Sequence, residues 1–407
     1  MKKYLTMIAA AMLTAACSND KEDLVTPTSG DAVAFAAFTA DGDNTRAKGE
    51  VNTTDILKAM TWDLTGHAAP DGGNVNDLRG FGVFASYTGK LTYENTTVMS
   101  DFMYNQQVKP EGTDWVYNPV KYWPNEKAEY VSFFGYAPYE ANPQDDGRCI
   151  IDISDNYVLG DPWVNYRLSV DPWGKDTDPA TESQVDLMYA TKQVGDAAPY
   201  TYTTWTNVQH YNGTQAIQDI YSDSKIKFTF KHALACVGDA IDIKASQELL
   251  DKIDGYATVK VNKLTITYKN LTTKARLVLN SVGSANWKEI ISGELTTERK
   301  YEKELDTPIT FTNTSEQTIS EGDGLFYIPL QVKGTEAAYA EIAVDYTVDN
   351  GVSQYNGTAT GKFDLDMNLE GKKQAIHLTL TKDLSLEHLV LPLTEPATEP
   401  SYSRLTK

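Results

Sequence analysis

The chain has 407 residues, too long for one ordinary domain and short for three, so length points to two domains or to one with sizeable decorations. Its 36 basic and 56 acidic side chains leave a formal charge of −20, which repels nucleic acid and anionic lipid and excludes a polyanion as the main partner. Hydrophobic residues reach only 41%, with 24 tyrosines against 12 phenylalanines, a balance that suits half-exposed strands better than a helical or membrane-embedded body.

The chain opens with Lys2 and Lys3, followed by an apolar run over 5–13 that is too short to span a bilayer as a helix. Residues 1–16 therefore read as a signal peptide. The run closes on Leu13-Thr14-Ala15-Ala16-Cys17, which resembles the lipobox of bacterial lipoproteins, although its leucine stands one position too far from the cysteine. Cys17 would then be the lipidated first residue; ordinary cleavage at an Ala-x-Ala-like site, with Cys17 incidental, is the alternative. The acidic tract Ser18-Asn19-Asp20-Lys21-Glu22-Asp23 opens a linker over 17–31. It resembles the surface-export signals of Bacteroidetes lipoproteins, and a plain solvated linker has the same composition.

The body reads as strand after strand. Short β-branched or aromatic runs at 33–38, 81–87, 102–105, 130–136 and 185–190 lie between Gly, Pro, Asn and Asp clusters. From Lys225 the alternation sharpens, with Ile226, Phe228 and Phe230 on one face and Lys227, Thr229 and Lys231 on the other, and it recurs at 259–268, 325–332, 339–348 and 374–380. Helical spacing is confined to 215–221 and 246–253. The expected fold is all-β, with two tandem antiparallel β-sandwich domains over 32–224 and 225–391. Phe133 and Phe134 cannot both face one core, so one of them must be covered by something else.

The segment 155–209 carries Trp163, Trp173 and Trp205. These are a possible ligand patch for a sugar or a partner, or else a loop that tucks its tryptophans under itself. Asp364 with Asp366, and Asp41 with Asp43, are the carboxylate pairs that invite a catalytic reading, but the first pair shares the solvated face of a strand and the second is turn chemistry. Neither a nucleophile elbow nor a phosphate loop nor a dinucleotide fingerprint is present, so no catalytic residue is assigned. The five histidines lack zinc-motif spacing, so neither a metal nor any other cofactor is expected. Cys149 and Cys236 read as buried free thiols, with pairing left open. His232 is expected to bond a backbone carbonyl near the domain junction, and Tyr122, Trp123 and Pro124 to plug a sandwich end.

Six pieces in a fixed order carry a family resemblance: Gly80-Phe81-Gly82-Val83-Phe84-Ala85, Phe102-Met103-Tyr104-Asn105-Gln106, Trp115-Val116-Tyr117 with Lys121-Tyr122-Trp123-Pro124, Val131-Ser132-Phe133-Phe134-Gly135-Tyr136-Ala137-Pro138, Val185-Asp186-Leu187-Met188-Tyr189-Ala190 and Phe228-Thr229-Phe230-Lys231-His232-Ala233-Leu234-Ala235. The order resembles the N-terminal domain of fimbrillins, the lipoprotein pilins of Bacteroidetes type V pili, whose domains are transthyretin-like sandwiches. Beyond residue 243 the resemblance rests on strand pattern alone.

The resemblance implies a non-enzymatic pilus subunit. Such a subunit is exported as a lipoprotein to the outer membrane and cut by an arginine-specific surface protease after its first strand. It is then joined to other pilin subunits when an extended segment of a neighbour refills the opened groove. Here the displaced strand would hold Val33, Phe35 and Phe38, and the loop 41–50 would be cut between Arg46 and Ala47, with Lys48 as the alternative site. The candidate donor strand is 384–391, with Leu384, Leu386, Leu389 and Leu391; a Pro/Thr/Glu/Ser tail over 392–407 follows it and departs from the pattern. A monomeric surface adhesin or glycan-binding lipoprotein using the tryptophans, with a host or bacterial surface ligand, is the alternative, and a secreted hydrolase a remote third.

Overall fold

A computed structural model describes residues 32–39, 79–89, 96–111, 114–122, 130–174, 183–190, 226–280, 284–290 and 293–392. The elements run in chain order as β1 (Phe35–Thr39), β2 (Phe81–Gly89), β3 (Met103–Glu111), β4 (Asp114–Val116), β5 (Tyr130–Ala137), β6 (Ile150–Ile153), β7 (Trp163–Arg167), β8 (Met188–Ala190) and β9 (Ile226–His232). They continue as β10 (Ala235–Ala245), a short helix α1 (Gln247–Ile253), β11 (Thr258–Thr272), β12 (Lys274–Val278), β13 (Asn286–Glu289) and β14 (Thr296–Thr310). The chain ends in β15 (Gln317–Glu321), β16 (Leu325–Tyr327), β17 (Tyr339–Asp349), β18 (Gln354–Asp364), β19 (Lys373–Leu380) and β20 (Leu386–Pro392). The all-β, sandwich-like expectation is met, and the helix expected at 246–253 forms with Ser246 as its N-cap, accepting from the Leu249 amide. The helix expected at 215–221 lies outside the described residues.

The N-terminal sheet has the order β1-β4-β3-β2-β5-β8-β9, and β1 meets strands at both ends, so the sheet closes on itself around an aromatic interior. The C-terminal body is a sandwich. One sheet is β15-β10-β19-β20, with β16 also on β10, and the other is β14-β11-β17-β18. Ile241, Ile243, Ile376 and Leu378 of the first share a core with Leu264, Ile266, Ile342 and Val344 of the second.

Pairing is mostly antiparallel, but β1 lies parallel to β9 and β10 parallel to β19. Each of these pairs joins strands far apart in sequence, as a parallel pair must. A further sheet, β13-β12-β7-β6, takes two strands from either side of residue 225. β9, although it begins at Ile226, completes the first sheet. The segment 155–209 is thus more than a loop, because β7 within it pairs with β12 from Lys274↔Arg167 to Val278↔Trp163. The strand expected over 325–332 ends at Tyr327, two residues before Pro329, whose ring removes a donor and disfavours continuation.

The strands β2, β5 and β8 form a wall between two cores. Phe81, Val83, Phe133 and Met188 point into the closed N-terminal interior, while Phe84, Phe134, Tyr136 and Tyr189 belong to the larger core continuous with the C-terminal body. Strand alternation alone produces this division, since neighbours in sequence point to opposite faces. Phe133 and Phe134 are both fully buried because each has a core of its own.

Two glycines allow the close contacts. Gly80, at φ +65°, brings its backbone so near β3 that a Cβ would sit 2.0 Å from the Val108 carbonyl oxygen. A Cβ on Gly82 would lie 2.3 Å from Cε1 of Tyr136.

Candidate functional site

The first strand is seated in a groove that its own sequence fills. Val33, Phe35 and Ala37 share one face and are buried, as the period of two requires. The Phe35 ring, 1% exposed, stacks on Phe228 at 5.8 Å and meets Tyr117, Phe133 and Phe81 edge-on at 5.4, 5.9 and 6.2 Å. Aromatic pairs of this geometry add to the area they bury. Phe38 has the opposite parity; it pairs with Thr229, and nothing further is described for its side chain.

The backbone of β1 is held unevenly. Along β9 it pairs from Phe35↔Ile226 to Thr39↔Phe230, whereas toward β4 it meets only Phe35↔Trp115. Just before the strand, the Val33 amide donates to the Lys121 carbonyl at 2.9 Å and Ala32 bridges Tyr122. The Tyr117 hydroxyl donates to the Val33 carbonyl at 2.7 Å, and burial pushes that hydroxyl up from 10.0 to about 12. Of the three residues expected to plug a sandwich end, Tyr122 is 57% exposed, and Trp123 and Pro124 lie outside the described residues. Tyr117, which the sequence offers only as part of the family resemblance, is the residue that secures the strand.

Chemically, β1 is the element whose loss would open one core and two sheet edges without cutting any other strand. The floor of the groove beneath β1 is made of Phe81, Val108, Phe133 and Phe228. Cys17, Arg46, Ala47 and Lys48, as well as Asp41 and Asp43, lie outside the described residues.

The candidate donor strand forms β20, an edge strand antiparallel to β19 from Leu380↔Leu386 to Gln374↔Pro392. Its leucines do not share a face. Leu386 is buried against the sandwich core, Leu389 and Leu391 are 55% and 43% exposed, and Leu384 sits in the preceding turn at φ +59°. The inward face reads Leu386, His388, Val390, an alternation displaced from the one expected. Pro392, expected in the tail, closes the strand; 393–407 lie outside the described residues.

The tryptophans separate. Trp163 on β7 carries the Arg276 guanidinium 3.6 Å over its ring and borders an open groove of about 600 Å³ with Asp161, Val278, Asn286, Lys288 and Glu289. Arg276 is aimed by its Nε bond to Asn165 at 3.0 Å. Trp173 is structural: its indole N–H donates to the Asp323 carbonyl at 2.9 Å and its ring lies 5.3 Å from Tyr301. Trp205 is outside the described residues.

Other side chains singled out in the sequence have plain surroundings. Asp364 and Asp366 are exposed. Cys149 and Cys236 are buried free thiols, and burial pushes Cys236 well above its ordinary range, with Asp239 adding to the effect. His232 bonds a carboxylate, with its Nδ1 2.5 Å from Asp186 Oδ2.

The family model described as fimbrillin-like matches residues 67–395. Fimbrium subunit Fim1C of Phocaeicola vulgatus is 25% identical over 176 residues, which make up 43% of this chain and 40% of that protein, so the match spans less than half of either. Among solved structures, a fimbrial protein from Bacteroides vulgatus ATCC 8482 aligns with a TM-score of 0.58 at 19% identity, covering 89% of this chain and 99% of that one. That likeness is one of fold.

Proposed function

The chain belongs to the fimbrillin-like family, and from that premise we propose that it is a structural subunit of a cell-surface pilus, exported as a Cys17-anchored outer-membrane lipoprotein and assembled by protease-triggered strand exchange. The observation that carries this reading is β1: a short strand that fills an aromatic groove, lies at the start of the described body, and is joined to β2 by residues 40–80. Cleavage after Arg46 in that connection by an arginine-specific surface protease would free β1 to leave. The groove would then take the extended segment of another pilin subunit, whose main chain supplies hydrogen bonds and whose alternate side chains refill the pockets. β20 is the segment of this chain proposed to act as donor. A head-to-tail contact of this kind does not close on itself and builds a filament. With the full chain at −20, like-charged subunits repel, and the joint must rest on groove burial against that repulsion. The subunit needs neither catalysis nor cofactor, and nucleic acid is not a partner.

The test is native digestion of the precursor by trypsin. A product that begins at Ala47, sheds β1 and elongates into polymers supports the reading; a trimmed product that keeps β1 or remains monomeric defeats it. A second reading, a surface ligand site for a host or bacterial glycan, is favoured by the open Trp163–Arg276 groove. Glycan binding that disappears in Trp163→Ala and survives in Trp173→Ala would support it, and binding indifferent to Trp163 would end it.

A further inference from the structure

Three adjacent strands of the C-terminal body bring Asp242, Glu316 and His377 together on one face. Asp242 and His377 are register partners on β10 and β19, Asp242 faces Thr318 of β15 on its other side, and Glu316 immediately precedes β15. One ligand atom from each of the three lies within 4.8 Å of the others. His377 Nδ1 stands 3.6 Å from Asp242 Oδ2 and 3.5 Å from Glu316 Oε2, and this buried nitrogen has no hydrogen-bond partner. Both separations are too long for hydrogen bonds. They match the edge of a coordination tetrahedron, because ligand atoms about 2.0–2.2 Å from a zinc ion stand about 3.3–3.6 Å apart.

The far oxygens of the two carboxylates are already occupied. Thr318 Oγ1 donates to Asp242 Oδ1 at 2.8 Å, and Lys244 Nζ donates to Glu316 Oε1 at 3.2 Å. Each bond fixes a carboxylate so that its other oxygen turns toward His377, the outer support that metal ligands ordinarily receive. Lys244 offsets one of the two negative charges, which leaves net negative charge beside the His377 ring.

We propose that Asp242, Glu316 and His377 form a binding site for a divalent transition-metal ion, with zinc the best fit, and that the fourth position is open to solvent. Mixed carboxylate and imidazole donors favour such an ion over calcium or magnesium, which take oxygen. The ion would pin β10, the start of β15 and β19 to one another, next to edge strand β20, whose Leu389 is the register partner of His377. This site is independent of the pilus reading and stands or falls without it.

The test uses the full chain, stripped with chelator and titrated with Zn²⁺ by calorimetry, with Ca²⁺ and Mg²⁺ as comparisons and Co²⁺ as a spectroscopic probe. The expected result is about one equivalent of zinc at micromolar or tighter affinity, visible bands of four-coordinate Co²⁺, and a rise in melting temperature of a few degrees on loading. His377→Gln should weaken binding by about a hundredfold or more, Thr318→Val by about tenfold, and His388→Gln should leave it unchanged. Circular dichroism checks that each variant folds; should His377→Gln fail to fold, the Co²⁺ bands of Asp242→Asn decide instead, their loss supporting the site and their persistence opposing it. Uptake too weak to saturate at 100 µM zinc, or full uptake that survives both ligand substitutions, would overturn the proposal.

Discussion

Replacing Phe35 by alanine should loosen the first strand without dismantling the body. The ring is 1% exposed and touches Tyr117, Phe228, Phe133 and Phe81, so its removal leaves a cavity that the surrounding aromatics, three of them fixed in strands and Tyr117 by its hydroxyl bond to Val33, fill poorly. Truncations of this kind cost about 3–5 kcal/mol. The wall behind Phe35 also faces the larger core, so most of that cost should fall on the seating of β1. At about 1.4 kcal/mol per decade, β1 held only by non-covalent contacts should then leave about a hundred- to several-thousandfold faster. The assay nicks the precursor after Arg46, confirms the cut by N-terminal sequencing, and follows loss of a fluorophore placed ahead of Ala32. Release from Phe35→Ala within threefold of the parent would show that the aromatic groove is not what retains the strand, and the reasoning would fail.

Gly80→Ala should destabilise by about 2 kcal/mol or more in a guanidinium melt, because the new Cβ meets the Val108 carbonyl at 2.0 Å and the residue is held at φ +65°; an unchanged midpoint would contradict the close approach. The Tyr117 hydroxyl, raised from 10.0 to about 12, binds its proton more tightly when folded, so its contribution is complete below pH 10 and is lost as pH climbs through about 12. The stability difference between the parent and Tyr117→Phe should accordingly be present at pH 8 and much reduced at pH 11.5, and a difference independent of pH would refute that assignment. Trp173→Ala should lower stability by about 2 kcal/mol through its lost bond to Asp323 and its contact with Tyr301; an unaltered melt would make Trp173 dispensable. Cys17→Ala should abolish lipidation, read by mass spectrometry of the exported protein, and a lipid mass that persists would relocate the anchor.

Strands whose inner face is apolar and outer face wet were legible in the sequence, as β9, β11, β17 and β19 demonstrate. β14 was not. Its Glu298, Lys300, Glu302 and Glu304 carry little strand propensity, and the strand is held to β11 partly by cross-strand ion pairs such as Lys263–Glu302 at 3.1 Å. The sheet that joins β7 to β12 was equally hidden, because pairing between segments a hundred residues apart leaves no local periodicity. The groove strand could be read from the apolar run over 33–38, although Ala37 and not Phe38 shares the buried face of Val33 and Phe35, but its partners could not, since parallel pairing with β9 depends on topology. The face of β20 was misjudged for a local reason: the turn at Leu384 sets the parity, and leucines at 389 and 391 look as apolar as those that turn inward. The trio of Asp242, Glu316 and His377 has no motif spacing, and only the strand order reveals it.

The wall between the two cores has a consequence for the lifetime of an opened subunit. With β1 gone, Phe84, Phe134, Tyr136 and Tyr189 remain clamped from behind, so the vacated groove stays preorganised and an arriving strand need not order it anew. The same rigidity holds two unpaired edges, on β4 and β9, open to any passing chain. On the proposed strand exchange, an opened subunit of this design would be durable and adhesive toward strands at once, and the interval between opening and refilling would decide its fidelity.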